Sequence, residues 1–188
     1  KGYSEREMIA ANVAVETRSG RAMDRFHARV MFPIIDLRGN VVAFGGRILT
    51  NEKPKYINTS DTPVYHKSSG LFAMNFAKNA LENDRIILAE GYMDVISMHQ
   101  CGIENVVANS GTALSIHQIR LLHRFTSNIV LLYDGDAAGV HAALRGTDML
   151  LEEEMNVKVL FLPDGNDPDS FARSHTAADF RKYIEENQ

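Results

Sequence analysis

The amino-acid sequence predicts an α/β protein: a parallel sheet flanked by helices, preceded by a smaller mixed α+β portion that carries the basic charge. Three observations lead there. From Arg85 onward, short apolar runs alternate with helical patterns, which implies right-handed βαβ crossovers and a parallel sheet. The run Ile129 to Tyr133 is apolar or aromatic throughout, as expected of a strand buried on both faces. The charge also divides: residues 1–85 carry 13 Lys/Arg against 9 Asp/Glu, a net of +4, whereas residues 86–188 carry 7 against 15, a net of −8. A basic portion beside an acidic one suits a protein that holds a polyanion with the first and metal ions with the second, although solvated surface charge gives the same count.

Taken in order, residues 2–12 read as a short helix with Ser4 as N-cap and Glu7 completing a capping box. Arg18, Arg21, Arg25 and Arg29 form a basic ladder, with Ser19 and Gly20 in a loop. Residues 29–36 and 40–49 read as two strands joined by a turn in which Gly39 suits a left-handed position. Gly45-Gly46 inside the second strand is unfavourable unless something approaches the backbone closely. Pro54 to Asn58 and Tyr65 to Lys67 place lysines and aromatics on loops, and 71–82 has helical spacing. Met23, Met31, Met74, Met93 and Met98 read as core filler.

The second portion, 85–188 after a boundary near residue 84, reads strand 85–89, helix 94–100 stopped by Gly102, strand 105–108, helix 115–125 with Gln118 as capping-box partner, strand 129–133, helix 137–154 and strand 157–162. No internal repeat and no low-complexity segment interrupts it. No apolar run approaches the roughly 20 residues that span a bilayer, no signal peptide opens the chain, and the cytosol is the expected compartment. A lone cysteine, Cys101, and seven histidines without ligand-like spacing argue against a zinc site.

The chemistry gathers at the strand ends. Asp134-Gly-Asp136 follows the central strand, where an extended backbone points both carboxylates the same way and Gly135 lets the chain turn. By itself this motif is either a strand-ending turn or a metal site. Glu90 ends the first strand of the portion, and Asp164, Asp167 and Asp169 follow the last. Pro168 biases Asp167 toward an extended conformation, so Asp167 and Asp169 tend to face together. In a parallel sheet these ends share the edge where ligands bind. Carboxylates held so close repel unless a cation sits among them, and Mg²⁺ prefers such oxygen ligands. Acid at three strand ends decides for the metal site.

Glu90-Gly-Tyr-Met-Asp94, Tyr133-Asp-Gly-Asp-Ala-Ala-Gly139 and Pro163-Asp-Gly-Asn-Asp-Pro-Asp169 together resemble the TOPRIM domain of bacterial replicative primases of the DnaG type. Upstream, Asp24 to Pro33, Phe44-Gly-Gly-Arg47, Pro54-Lys-Tyr-Ile-Asn58 and His66-Lys67 resemble the basic subdomain of the same family. Ala137 and His27 depart from its pattern, standing where basic residues are common. The resemblance implies a TOPRIM-type parallel sheet over 85–188, with the start of a C-terminal helical region, preceded by part of the basic subdomain over 1–84. It implies DNA primase activity, a nucleotidyl transfer that builds short RNA primers from ribonucleoside triphosphates on a single-stranded DNA template at the bacterial replication fork. It implies Mg²⁺, with Mn²⁺ as an alternative, held by Glu90, Asp134, Asp136, Asp167 and Asp169. Glu90 would also act in proton transfer, Asp94 would orient ligands, and Asp164 would serve the turn. Arg47, Lys55 and Lys67 would line the template and nucleotide groove, with Arg25, Arg29, Tyr56 and Asn58 in support. A monomeric fragment opening on Lys1, without the family's zinc-binding and helicase-binding domains, is the further expectation, so that the replicative helicase would be met through a region absent here. Topoisomerases and OLD-type nucleases share these acids but need a catalytic tyrosine domain or a nuclease partner. A binding module with a degenerate metal site would lack carboxylates that this sequence has.

Overall fold

The computed structural model describes residues 2–163 and 166–187. By packing, the chain divides into two units, Lys1–Gly70 and Leu71–Gln188.

The first unit opens with α1 (Glu5–Ala10). Ser4 caps it by accepting the Glu7 N–H at 3.3 Å, and the Glu7 carboxylate takes the Ser4 N–H at 2.7 Å, the expected box. Strands β1 (Ala14–Glu16) and β2 (Ala22–Asp24) pair antiparallel. The sequence reading saw only a basic ladder and a loop there, because three-residue strands are too short to display a period. β3 (Arg29–Ile35), β4 (Val41–Ile48) and β5 (Tyr56–Asn58) form an antiparallel sheet in that order. The β3–β4 turn is organised by Asp36, whose carboxylate accepts the N–H groups of Arg38 at 2.9 Å and Asn40 at 2.8 Å, with Gly39 left-handed at φ 91°. β5 corrects the expectation of a loop at 54–58: its pairing with Gly45, Gly46 and Arg47 makes it a strand. Gly46 of β4 has its reason in Phe26, since a Cβ there would meet the Phe26 ring at 2.7 Å. Met23 and Met31 are exposed rather than core, whereas Met74 and Met98 are fully buried in the second unit.

That unit begins earlier than the boundary near 84. Phe72 exchanges two backbone hydrogen bonds with Ala108, at 2.8 and 3.2 Å, and Leu71, Ala73, Met74 and Ala77 are buried. The helix expected over 71–82 is correspondingly reduced to α2 (Met74–Ala77): its N-cap, Ala73, is left-handed at φ 64°, and the chain before it pairs as an extended strand. Then follow β6 (Arg85–Ala89), α3 (Tyr92–Cys101), β7 (Val106–Ala108), α4 (Ile116–His123), β8 (Asn128–Tyr133), α5 (Ala137–Glu152), β9 (Asn156–Phe161), α6 (Pro168–Ser174) and α7 (Ala177–Glu186). Gly102 ends α3 at φ 94°, and Ser115 with Gln118 forms the expected box on α4. Helices α6 and α7 were not separated by the sequence reading.

Among the described residues β6 to β9 form one parallel sheet in the order β7-β6-β8-β9. Ile86, Ile87 and Leu88 of β6 are at most 1% exposed, and burial of such side chains contributes about 1.5–3 kcal/mol each. The core runs from these strands to Val95 and Met98 of α3, Phe171 of α6 and Phe180 of α7. Helix α7 also returns to the start of the unit. Arg181 forks onto Glu82 at 2.8 and 2.6 Å, and Glu185 pairs with the buried Arg85 and accepts from Asn83 at 3.2 Å.

Candidate active site

The carboxyl ends of β6, β8 and β9 carry the acids. Glu90 leaves β6 half-buried and accepts the Asp134 backbone N–H at 3.3 Å, which ties the first two strand ends together. Asp136 stands as N-cap of α5 and accepts the Gly139 N–H at 2.7 Å. Gly139 itself is required: a Cβ there would lie 2.1 Å from the Asp134 carbonyl oxygen. Gly135, expected to permit the turn, is not left-handed and has open space around it, so the demand for glycine falls four residues later.

Asp167 is extended, as the following proline predicts, and caps α6 by accepting the Ser170 N–H at 2.7 Å. Asp169 does not face with it. As part of the first turn of α6 it accepts from the buried Ser97 hydroxyl and from Arg173 Nε at 2.7 Å, so its carboxylate is already engaged. Helical backbone at Pro168 and Asp169 replaces the extended run that would have aligned the pair. Asp164 lies outside the described residues.

Asp94 occupies the centre of this arrangement. One carboxylate oxygen accepts the Gly91 N–H at 2.9 Å, and the group also takes the Asp169 backbone N–H, so Asp94 joins the first turns of α3 and α6. Burial, followed by the charges of Asp134 and Asp167, pushes it up to about 7 against these hydrogen bonds. Burial also raises Glu90, with Asp134 and Asp136 adding to it, and burial raises Asp134, with Asp167 and Asp136 adding. Asp167 goes the other way: burial pulls it up, but the Ser170 hydrogen bonds and the Arg173 charge hold it below the usual carboxylate range. Asp134 thus adds its charge to both Glu90 and Asp94, while Asp136 and Asp167 add theirs to Asp134.

The donor set is all oxygen and anionic, which fits a hard divalent cation. Among the described residues no three such side chains are closed into a group that could hold an ion as they stand.

In the first unit the basic residues fall into two kinds. Arg29 donates to the carbonyls of Pro54 at 2.9 Å, Lys55 at 3.2 Å and Gly46 at 3.4 Å, and Arg25 donates to the Asn58 carbonyl at 3.1 Å. Both brace the chain around β5. Arg47 and Lys55 instead flank the Tyr56 ring, at 5.8 and 5.9 Å from its centroid, and Lys55 is exposed. Arg47 Nε is buried and meets no hydrogen-bond acceptor among the described residues. Lys67 is half-exposed, with its backbone N–H on the Asp61 carboxylate at 2.9 Å.

Two contributors escaped the sequence reading. Ser97, which binds Asp169, is an unremarkable helical serine in sequence, and only its burial marks it. Tyr133, whose hydroxyl is raised by burial and by Glu90, shows in sequence only as the end of a strand.

Residues 1–78 match the family model of the DNA primase catalytic core, N-terminal domain, and residues 87–172 match a Toprim-like model. A DNA primase of Clostridium acetobutylicum is 46% identical over 185 residues, covering 98% of this chain and 31% of the relative. The crystal structure of a DNA primase domain from Pseudomonas aeruginosa superposes with a TM-score of 0.91 at 43% identity, over 97% of this chain and 58% of that one. The chain belongs to the DnaG-type primase family. A further DnaG primase catalytic domain, solved bound to ssDNA, matches with a TM-score of 0.90 at 38% identity, over 100% of this chain and 62% of that one. The chain spans about a third of the length of its curated primase relatives. Among the described residues no helix is long and apolar enough to cross a membrane.

Proposed function

We propose that this chain carries DNA-directed RNA synthesis of the primase type. Its partners are then a single-stranded DNA template, ribonucleoside triphosphates and the growing RNA primer, at the replication fork in the bacterial cytoplasm, with the replicative helicase contacted through parts of the protein beyond this chain. Residues 85–188 act as the TOPRIM domain, with 71–84 packed onto it, and the rest of residues 1–84 act as part of the basic subdomain. The observation that carries the reading is the gathering of Glu90, Asp134, Asp136 and Asp167 just beyond the carboxyl ends of β6, β8 and β9, with Glu90 bonded to the Asp134 N–H, in a chain of primase kinship.

Glu90, Asp134, Asp136 and Asp167 would hold the ions, together with Asp169 were it freed from Ser97 and Arg173. Mg²⁺, or Mn²⁺ in its place, bound there supplies activation of the attacking oxygen and shielding of the leaving group's charge. The oxygen of a primer 3′-hydroxyl bonds to the α-phosphorus of the incoming nucleotide, the bond from that phosphorus to the bridging oxygen breaks, and pyrophosphate leaves. Glu90 also acts in proton transfer from the hydroxyl. Asp94 acts through others, keeping the first turns of α3 and α6 in place. Arg47, Lys55 and Lys67 hold template and nucleotide phosphates; Tyr56 offers a ring to an unstacked base, and Arg25, Arg29 and Asn58 position the segment that carries Lys55 and Tyr56.

The test is synthesis of oligoribonucleotides from labelled ribonucleotides on single-stranded DNA. Template-dependent product with Mg²⁺ or Mn²⁺, lost in Asp134→Asn, is expected. Cleavage of the DNA strand in place of synthesis would overturn the reading.

A further inference from the structure

A cavity of about 300 Å³ lies beside the acidic edge, with Glu90 in its wall. One side is α5, which presents Ala138, Ala142 and Gly146 at i, i+4 and i+8, a single helical face with almost no side-chain bulk. The absence of bulk is what leaves the space. Gly146 seats the helix on the sheet there, with a Cβ position 3.5 Å from Leu131 and 3.6 Å from Leu114. The opposite side is the loop from Asn109 to Leu114, turned by two successive left-handed residues, Ser110 at φ 52° and Gly111 at φ 81°. That loop is fastened to the site, since the Ser110 N–H donates to the Glu90 carbonyl at 3.1 Å and the Thr112 hydroxyl donates to the Asn109 carbonyl at 2.8 Å.

The lining selects the ligand. Small-molecule pockets run from about 300 Å³ upward, so this one takes a nucleoside-sized group and not a whole nucleoside triphosphate. Its walls are largely apolar, through Leu114, Ala142 and Met149, and the Glu90 carboxylate repels phosphate. Asn109 and Thr112 supply neutral polar edges. Arg145 is exposed and makes no hydrogen bond or ion pair among the described residues; its planar guanidinium is suited to stack on a flat heterocycle. We propose that this cavity receives the base of a reacting ribonucleotide, with Arg145 covering it, while the phosphates lie over the acidic edge. The inference rests on the nucleotidyl-transfer reading above.

Methyl-labelled alanine and methionine in this chain give a readout independent of turnover. Adenosine 5′-monophosphate and its guanosine, cytidine and uridine counterparts are titrated in turn, against inorganic tripolyphosphate and a short single-stranded deoxyoligonucleotide. The Ala138, Ala142 and Met149 methyl signals are expected to move with at least one ribonucleotide and not with the other two probes. Ala142→Phe, which fills the cavity, should weaken that ribonucleotide at least tenfold at an unchanged melting temperature. Should Ala142→Phe fold poorly, Arg145→Ala on the exposed face serves in its place, with the same tenfold loss expected. Signals that stay still, that move equally with tripolyphosphate, or that move only with the deoxyoligonucleotide would overturn the proposal, as would a folded Ala142→Phe that binds like the wild type. A chain that binds a base here yet joins no nucleotides would sink the functional reading and leave this one standing.

Discussion

The two units handle charge in opposite ways. In the second, burial raises Glu90, Asp94 and Asp134, with neighbouring carboxylates adding to it, whereas the Ser170 hydrogen bonds and the Arg173 charge hold Asp167 down. In the first, Arg29 donates to three backbone carbonyls and Arg25 to one, whereas Arg47 and Lys55 lie by the Tyr56 ring and Lys67 is half-exposed. A net charge of either sign therefore says little about binding until each group's partners are known. Charge facing its own kind marks a site, whereas charge answered by the backbone marks a brace.

The widest separation between the two kinds should come from Glu90→Gln and Asp134→Asn. Each is expected to lower primer synthesis at least 100-fold while leaving the melting temperature in EDTA unchanged or higher, because each removes repulsion from the empty acidic edge. Either variant keeping most of its activity would remove that residue from the ligand set. Mn²⁺ binding followed by electron paramagnetic resonance should fall in parallel.

Next in size is the pH response of Asp94. Its folded value of about 7 lies above the ordinary value of 3.8, so the folded state binds the extra proton between these pH values. Stability from this group is therefore full below about pH 4 and declines as pH rises through 7, by on the order of 2–4 kcal/mol. Asp94→Asn should flatten the fall in metal-free denaturation curves between pH 5 and 8; an unchanged slope would show that Asp94 is ionised throughout.

On the basic side Arg29→Ala should destabilise by roughly 1–3 kcal/mol, since it leaves three carbonyls without their charged donor. Lys55→Ala should barely alter urea denaturation. Equal losses from the two would erase the distinction between brace and ligand.

The smallest effect concerns salt. If Arg47, Lys55 and Lys67 each neutralise one phosphate, each alanine variant should make the log-log salt dependence of single-stranded DNA binding shallower by about 0.7, and Arg6→Ala on α1 should leave it alone. Four identical slopes would move the template path elsewhere.

The parallel sheet and its acidic edge were legible because both signals are redundant. β7 and residues 129–133 of β8 are continuous apolar runs, α4 starts on the cap of Ser115 with Gln118, and acid follows three of the four strands. The first unit was less so, since β1, β2 and β5 span three residues each and owe their form to pairing across the chain. Arg29 read as a template residue because sequence displays the charge and hides the carbonyls it serves. Asp169 read as facing with Asp167 because a proline announces an extended residue before it, not a helix after it.

The ion pairs of α7 bear on how the protein is made. Glu82 and Arg85, at the first edge of the parallel sheet, find their partners Arg181 and Glu185 99 and 100 residues later. A nascent chain that has emerged only as far as α6 holds all the strands of that sheet, but the buried Arg85 then lacks Glu185 and has only the nearby charge of Glu82. Closure of the unit, and with it a settled acidic edge, thus waits on the arrival of α7 during synthesis, a long-range step of the kind that slows folding.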